Sequence, residues 1–259
     1  MNVIKLELFK ISRSKGFYIT LGVFFVLEII ALLSFVDDFI SNLEVNGEQL
    51  PILHIIQFPD IWGYFAYGGR FFNIILALLV ISQVAQEYQY KTLRQHLLEG
   101  MSRTGFVASK MVTVVLLCLS ASLLLFVLTL ISGFKNTSGA DFAQATEGMS
   151  IMLPFFVQTF SYLCLAMFIA ILVRKSYLGL ILFLLYGFIA EPIFRWVLPE
   201  PLGEYLPLST MGNIIPNPVM EALGQAEATG IDQTALALSA IYAALFIFGS
   251  LALLYKRDV

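Results

Sequence analysis

Few side chains in this sequence have the types and spacing for chemistry. The run Gly100-Met101-Ser102-Arg103-Thr104-Gly105 has the glycine spacing of a phosphate-binding loop. Phe106-Val107 follow where that loop carries Lys and Ser/Thr. The run therefore lacks the ammonium that meets the phosphates and the hydroxyl that meets magnesium, and it is excluded as a nucleotide site. Glu191 and Arg195 stand four apart with Pro192 between them, a spacing that allows an ion pair on one helix face. Such a pair can line a cavity mouth or form part of a membrane-embedded enzyme. That enzyme chemistry also needs histidines at membrane depth, and the two histidines, His54 and His96, fall in polar segments. Cys118 and Cys164 stand singly in apolar runs, as packing residues do. No nucleophile, base or metal-ligand constellation assembles, so no catalytic residue and no metal ligand is expected. An enzyme built on Glu191 and Arg195 is kept as an alternative reading.

Four charges lie inside or at the ends of apolar runs: Glu28, Arg70, Glu191 and Arg195. A charge at the centre of a span costs at least about 2.5 kcal/mol and faces a bundle interior or cavity. Glu28 can be protonated, hydrogen-bonded between helices, or paired with a base such as Arg70. Arg70 follows Gly68-Gly69 near a span end, where it can also reach the interface.

The elements that position these charges follow from composition. Of 259 residues, 59% are hydrophobic and 13% charged, with mean hydropathy +0.85. A soluble domain carries about 25% charge. The chain therefore reads as all-α and polytopic, one membrane domain over 1–259. A crossing needs about 20 apolar residues, and six runs qualify, near 17–36, 65–86, 111–132, 151–173, 177–197 and 234–255.

Charge orients the spans. Segments 1–16, 87–110, 174–176 and 256–259 hold 12 of the 15 Lys and Arg residues. The loops 37–64, 133–150 and 198–233 hold one base, Lys135, and 12 of the 18 acids. Both termini are thus expected in the cytosol, and six spans satisfy that. The cytoplasmic membrane is the expected location. Nucleic acid is not an expected partner, because no basic patch is interleaved with exposed aromatics.

Residues 1–16 read as a basic interfacial helix on membrane lipid, with Met1, Ile4, Leu8 and Ile11 as its apolar stripe. The segment 198–233 holds five of the nine prolines, with apolar stretches too short to span. It reads as a re-entrant outer segment of two short helices.

Residues Glu87–Lys110, EYQYKTLRQHLLEGMSRTGFVASK, are too polar for a bilayer and lie between two spans. Tyr90, Leu93, Leu97 and Met101 recur at helical spacing. Glu87 and Lys91 form a favourable i,i+4 pair. Gly100 can end this helix, placed at 87–100, and Ser102 can cap the next one. Such a helix can lie on headgroups or present its polar face to a soluble partner.

The order of residues resembles the segment between the second and third spans in permeases of the type-2 ABC exporter family. Those carry an acid at the end of the second span, then Thr, then Ser-Arg and a Lys leading into the third. Here these are Glu87, Thr92, Ser102-Arg103 and Lys110. The basic N-terminal helix, the six spans and the broken outer segment are similar as well. Many members have Gly before the Thr, where this chain has Lys91, and Pro before Ser-Arg, where it has Met101.

The resemblance implies half of a pore. A second permease copy or a related permease, and an ABC ATPase subunit binding ATP and Mg, would complete it, with no cofactor in this chain. The helix at 87–100 would be the coupling helix. Glu87 and Arg103 would lock its ends, Thr92 belongs to the same motif, and Lys91, Arg94 and Gln95 would face the ATPase. A hydrophobic or amphipathic cargo, such as a drug, lipid or antimicrobial peptide, would be exported. A non-transporting membrane scaffold is the remaining alternative.

Overall fold

The computed structural model describes residues 3–38, 44–45, 48–49, 57–139, 141–199, 202–222 and 230–256. Met1, Pro51, His54, Pro201 and Arg257 lie outside them.

The chain starts with α1 (Val3–Arg13) and turns at Ser14 into α2 (Lys15–Asp38). The break comes from Ser14, whose Oγ accepts the Phe17 amide at 3.3 Å and so caps α2. The single helix expected over residues 1–16 is thus shorter, and its last residues already belong to the first span. A two-residue antiparallel ladder joins β1 (Glu44–Val45) and β2 (Glu48–Gln49).

The second span is α3 (Ile61–Gly69), a tighter turn at Arg70–Phe72, and α4 (Asn73–Gln89). A short α5 (Thr92–Leu98) precedes the long α6 (Arg103–Asn136). Then come α7 (Phe142–Thr146) and α8 (Met152–Val173). The fifth span is α9 (Ser176–Leu185), a wide π-type turn at Tyr186–Ala190, and α10 (Glu191–Val197). The short α11 (Pro207–Asn213) and α12 (Pro218–Ala222) lead to the last helix, α13 (Gln233–Lys256).

Among the described residues six stretches are long and apolar enough to cross a membrane. They are Lys15–Ser34, Ile61–Gln89, Arg103–Asn136, Phe142–Val173, Ser176–Val197 and Gln233–Lys256. The chain is a multi-pass membrane protein whose spans are all helical.

The bundle is built around α8, which packs against α4, α6, α9, α11 and α13. In lipid, helices associate through close packing and interhelical hydrogen bonds. Both devices appear here. Ala235, Ser239 and Ala243 recur every fourth residue on the buried face of α13, so its backbone can approach α8. Ser161 Oγ of α8 donates to the Ser239 carbonyl at 2.9 Å. Asn73 Nδ2 of α4 donates to Thr159 Oγ1 of α8 at 3.0 Å.

Gly69 makes the first, second and third spans meet. A Cβ there would stand 2.8 Å from Leu125 Cδ1 and 3.0 Å from Glu28 Oε1. A side chain there would push the ends of Leu125 and Glu28 aside, so glycine lets the three spans cross at this distance.

The basic ends of these helices gather at one end of the bundle. Contacts of Lys10 with Glu87, of Arg103 with Leu254, and of Arg174 with Tyr88 tie them together there.

Candidate coupling site

At that basic end the second span does not run on into the polar segment. Its helix stops at Gln89, and Lys91 adopts a left-handed backbone with φ 56° and ψ 20°. This reverses the chain and starts α5 at Thr92. Glycine enters this region without steric cost, whereas a side chain such as that of Lys91 does not. The expected helix over 87–100 is therefore two pieces: Glu87 ends the span, and α5 itself covers 92–98.

The exit from α5 is a tight helix-ending turn. Gly100 takes φ 95°, its amide donates to the Leu97 carbonyl at 3.2 Å, and the Met101 amide donates to the His96 carbonyl at 2.9 Å. Those two bonds satisfy the orphan carbonyls of the last turn. Ser102 Oγ then accepts the Gly105 amide at 3.0 Å and caps α6.

Between entry and exit lies a buried charge node. Glu87 Oε1 accepts Lys10 Nζ of α1 at 2.7 Å and Lys110 Nζ of α6 at 2.9 Å. Its Oε2 accepts the Thr92 hydroxyl at the first residue of α5. Lys110 also donates to Glu7 Oε1 of α1 at 2.8 Å, and Thr113 Oγ1 donates to the same oxygen at 3.0 Å. Glu7, Glu87 and Lys110 are all buried, and the two acids are matched by two ammoniums. Burying charge costs several kcal/mol per ion and is offset only by such close, hydrogen-bonded pairing. The node joins α1, α4, α5 and α6.

The i,i+4 pair of Glu87 with Lys91 does not form. The reversal at Lys91 sends its side chain to the exposed surface, while Glu87 turns inward to Lys10 and Lys110. Glu7 is the residue the sequence reading missed. Its signal was present: it is the one acid before Glu28, in a segment with four bases.

Arg103 anchors a different element. Its Nη1 donates to the carbonyls of Leu254 at 2.6 Å and Tyr255 at 2.9 Å, at the end of α13. A guanidinium there meets orphan carbonyls and the negative end of the helix dipole. Arg103 thus holds the last span to the start of the third rather than locking α5.

The faces of α5 differ sharply. Leu93 is buried, and Leu97 and Met101 pack against the core. Arg94 and Gln95 are exposed, as is Lys91 just before them. Tyr90 and Leu98 are 70% and 81% exposed, so the expected apolar stripe loses Tyr90, which sits in the turn. The outward surface thus mixes basic, amide and large apolar side chains.

The remaining candidate charges lie toward the other end. Glu28 is fully buried beside Gly69 and pairs with no base among the described residues, so the pairing with Arg70 does not form. Arg70 Nη1 donates instead to the Gly212 carbonyl of α11 at 2.6 Å, and its guanidinium stacks 3.8 Å from the Tyr67 ring centroid. Glu191 and Arg195 do not pair either. Glu191 is buried and its Oε1 accepts the Ser209 amide of α11, whereas Arg195 is exposed. Gln158 Nε2 of α8 donates to the Met211 carbonyl at 2.6 Å. Glu191, Arg70 and Gln158, from three spans, therefore grip one short helix.

Comparison with known families matches residues 3–190 to the family described as ABC-2 family transporter protein. The match spans the charge node and α5 and ends just before Glu191. No curated protein matches the chain.

Proposed function

The chain belongs to the ABC-2 transporter family, and on that premise we propose that it is the permease half of an ATP-driven exporter, with α5 as its coupling helix. A separate ATPase subunit would bind ATP and Mg²⁺ and dock on Lys91, Arg94 and Gln95, with Tyr90 and Leu98 as apolar anchors. A second permease copy, or a related permease, would complete the pore. The basic end would face the cytosol and hold both termini, in the cytoplasmic membrane. The amphipathic α1 would lie on the inner leaflet, with exposed Ile4 and Leu8 in the acyl region and Lys5 and Arg13 among headgroups. The segment with α11 and α12 would dip into the opposite face. The cargo would be hydrophobic or amphipathic.

The observation that carries this reading is the node under α5. A coupling element must be soft enough to dock and rigidly tied to what it moves. The seven residues of α5 are attached through Thr92 to Glu87, and through Glu87 to α1 and α6. A push on α5 is thereby delivered to two spans and to α1 together. Discrete, packed arrangements of this kind are what carry a displacement between sites.

The test is co-purification with an ABC ATPase subunit, followed by charge reversal on the outer face. Arg94→Glu should abolish ATPase binding and leave thermal stability unchanged. A chain that recruits no ATPase, or an Arg94→Glu variant that still transports at the wild-type rate, overturns the reading.

A further inference from the structure

A second feature lies at the far end from α5. A cleft opens between the second, fourth and fifth spans and the short helix α11. It has two lobes of about 270 and 300 Å³ that share Arg70, Gly187, Leu208 and Gly212 in their walls. The lobe nearer the helix ends carries Arg70, Glu191 and Arg195. The deeper lobe is walled by aromatic and aliphatic side chains together with Asn73 and Gln158.

We propose that this cleft binds an amphiphile whose polar head joins an anionic group to hydrogen-bond donors, as a phosphoglycerol head does. Three observations specify that chemistry. Charge is the first. The carboxylate of Glu191 is engaged by the Ser209 amide, and among the described residues neither Arg70 nor Arg195 forms an ion pair. Two guanidiniums against one carboxylate leave a positive waist, and a guanidinium fork matches a phosphate or carboxylate. Arg70 donates one nitrogen to Gly212 and also engages the Tyr67 side chain, and its guanidinium still lines both lobes.

Hydrogen bonding is the second observation. Asn73 and Gln158 are more than nine-tenths buried, and both line the deeper lobe. Their amide nitrogens are used on Thr159 and Met211, but Asn73 Oδ1 and Gln158 Oε1 accept nothing from the protein. A buried acceptor without a donor is costly to leave unmade. Both oxygens are closed off beneath the lobe's surface, so hydroxyl or ammonium donors of a ligand head meet them once the lobe opens around it.

Access is the third. Phe71 and Phe188 line the deeper lobe and are 61% and 69% exposed, so the lobe opens sideways on the apolar outer surface. An acyl chain can lie on those rings while its head reaches Arg70. A wholly soluble anion has no use for that wall, and a neutral hydrocarbon has none for Arg70, Asn73 and Gln158.

The experiment uses the full chain in phosphatidylcholine nanodiscs and titrates dihexanoyl phosphatidylglycerol, dihexanoyl phosphatidylcholine and glycerol phosphate by calorimetry. Phosphatidylglycerol should bind saturably, one per chain, at least tenfold more tightly than the other two. Arg70→Gln should weaken it tenfold or more. Because Arg70 also holds α11, Ile74→Trp serves as a second variant. It fills the deeper lobe without touching that bond and should weaken the lipid equally. Equal affinity for the two lipids, full competition by glycerol phosphate, or wild-type binding in Ile74→Trp overturns the proposal. Lipid mass spectrometry separates the sources. Phosphatidylglycerol retained stoichiometrically by the wild type and lost from Ile74→Trp identifies a resident lipid. Binding without retention identifies a mobile amphiphile of the same chemistry, and both results support the site. No ATPase takes part, so failure here leaves the coupling reading standing, and failure of coupling leaves this binding intact.

Discussion

Lys110, near the head of the third span, and Glu87, at the foot of the second, meet at 2.9 Å inside the protein, although 23 residues separate them in sequence. Everything between them, α5 included, is an excursion that this contact closes. The excursion is short, and both of its ends are pinned. Motion of α5 relative to the spans must therefore either break a buried ion pair or carry the spans along.

Removing Lys110 tests the pin directly. Lys110→Met leaves Glu7 and Glu87 buried on either side of an apolar chain. Breaking a buried pair by removing one partner costs about 3–5 kcal/mol. Thermal unfolding of the purified protein should show a loss of that size. Lys10→Met should cost less, because the Lys10 side chain is 30% exposed and water can replace it beside Glu87. Equal losses from the two variants would mean that Lys110 does not bridge the two acids.

Lys91→Gly tests the backbone. The left-handed conformation costs a non-glycine residue about 1–2 kcal/mol. Glycine has no such cost, though it adds freedom to the unfolded chain. The net expectation is a stability gain of up to about 1 kcal/mol, read as a raised melting temperature. A loss greater than the noise would show that the Lys91 side chain holds the turn.

Arg103→Gln should act at a distance in sequence. The carbonyls of Leu254 and Tyr255 lose a charged donor worth about 1.5–3 kcal/mol. Hydrogen exchange should quicken in the last turn of α13, roughly tenfold or more, while α5 stays as protected as before. Faster exchange in α5 instead would show that Arg103 locks α5 after all.

The spans were legible because hydrocarbon thickness and the Lys/Arg bias act on whole segments, and averages over 20 residues survive local errors. The partners of single charges were not. Spacing allows Glu87 to pair with Lys91 and Glu191 with Arg195 where each pair shares a continuous helix, and only the second pair does. At Lys91 the helix reverses. At the fifth span, Pro192 has no amide to donate back to the preceding turn, and the backbone widens over Tyr186–Ala190 just before Glu191. Glu191 then finds a backbone amide on another element. Glu7 escaped for a related reason: its partner lies 103 residues away, and no local pattern announces it.

The grip on α11 yields the last prediction. This helix begins at Leu206 and Pro207, which offer no side-chain cap, so its first turn has unsatisfied amides. The Glu191 carboxylate takes one of them, at Ser209, and places negative charge at the positive end of the helix. Arg70 and Gln158 take carbonyls at the other end. Glu191→Ala removes the acceptor and should cost about 1–3 kcal/mol locally. Exchange of the amides in 207–213 should then quicken by roughly ten- to a hundredfold, since each 1.4 kcal/mol is a factor of ten. Glu191→Gln keeps an oxygen in place and loses only the charge, so its effect should be several times smaller. If the two variants behave alike, the charge rather than the hydrogen bond holds α11. If neither moves the exchange rate, packing against α8 and α13 suffices without Glu191.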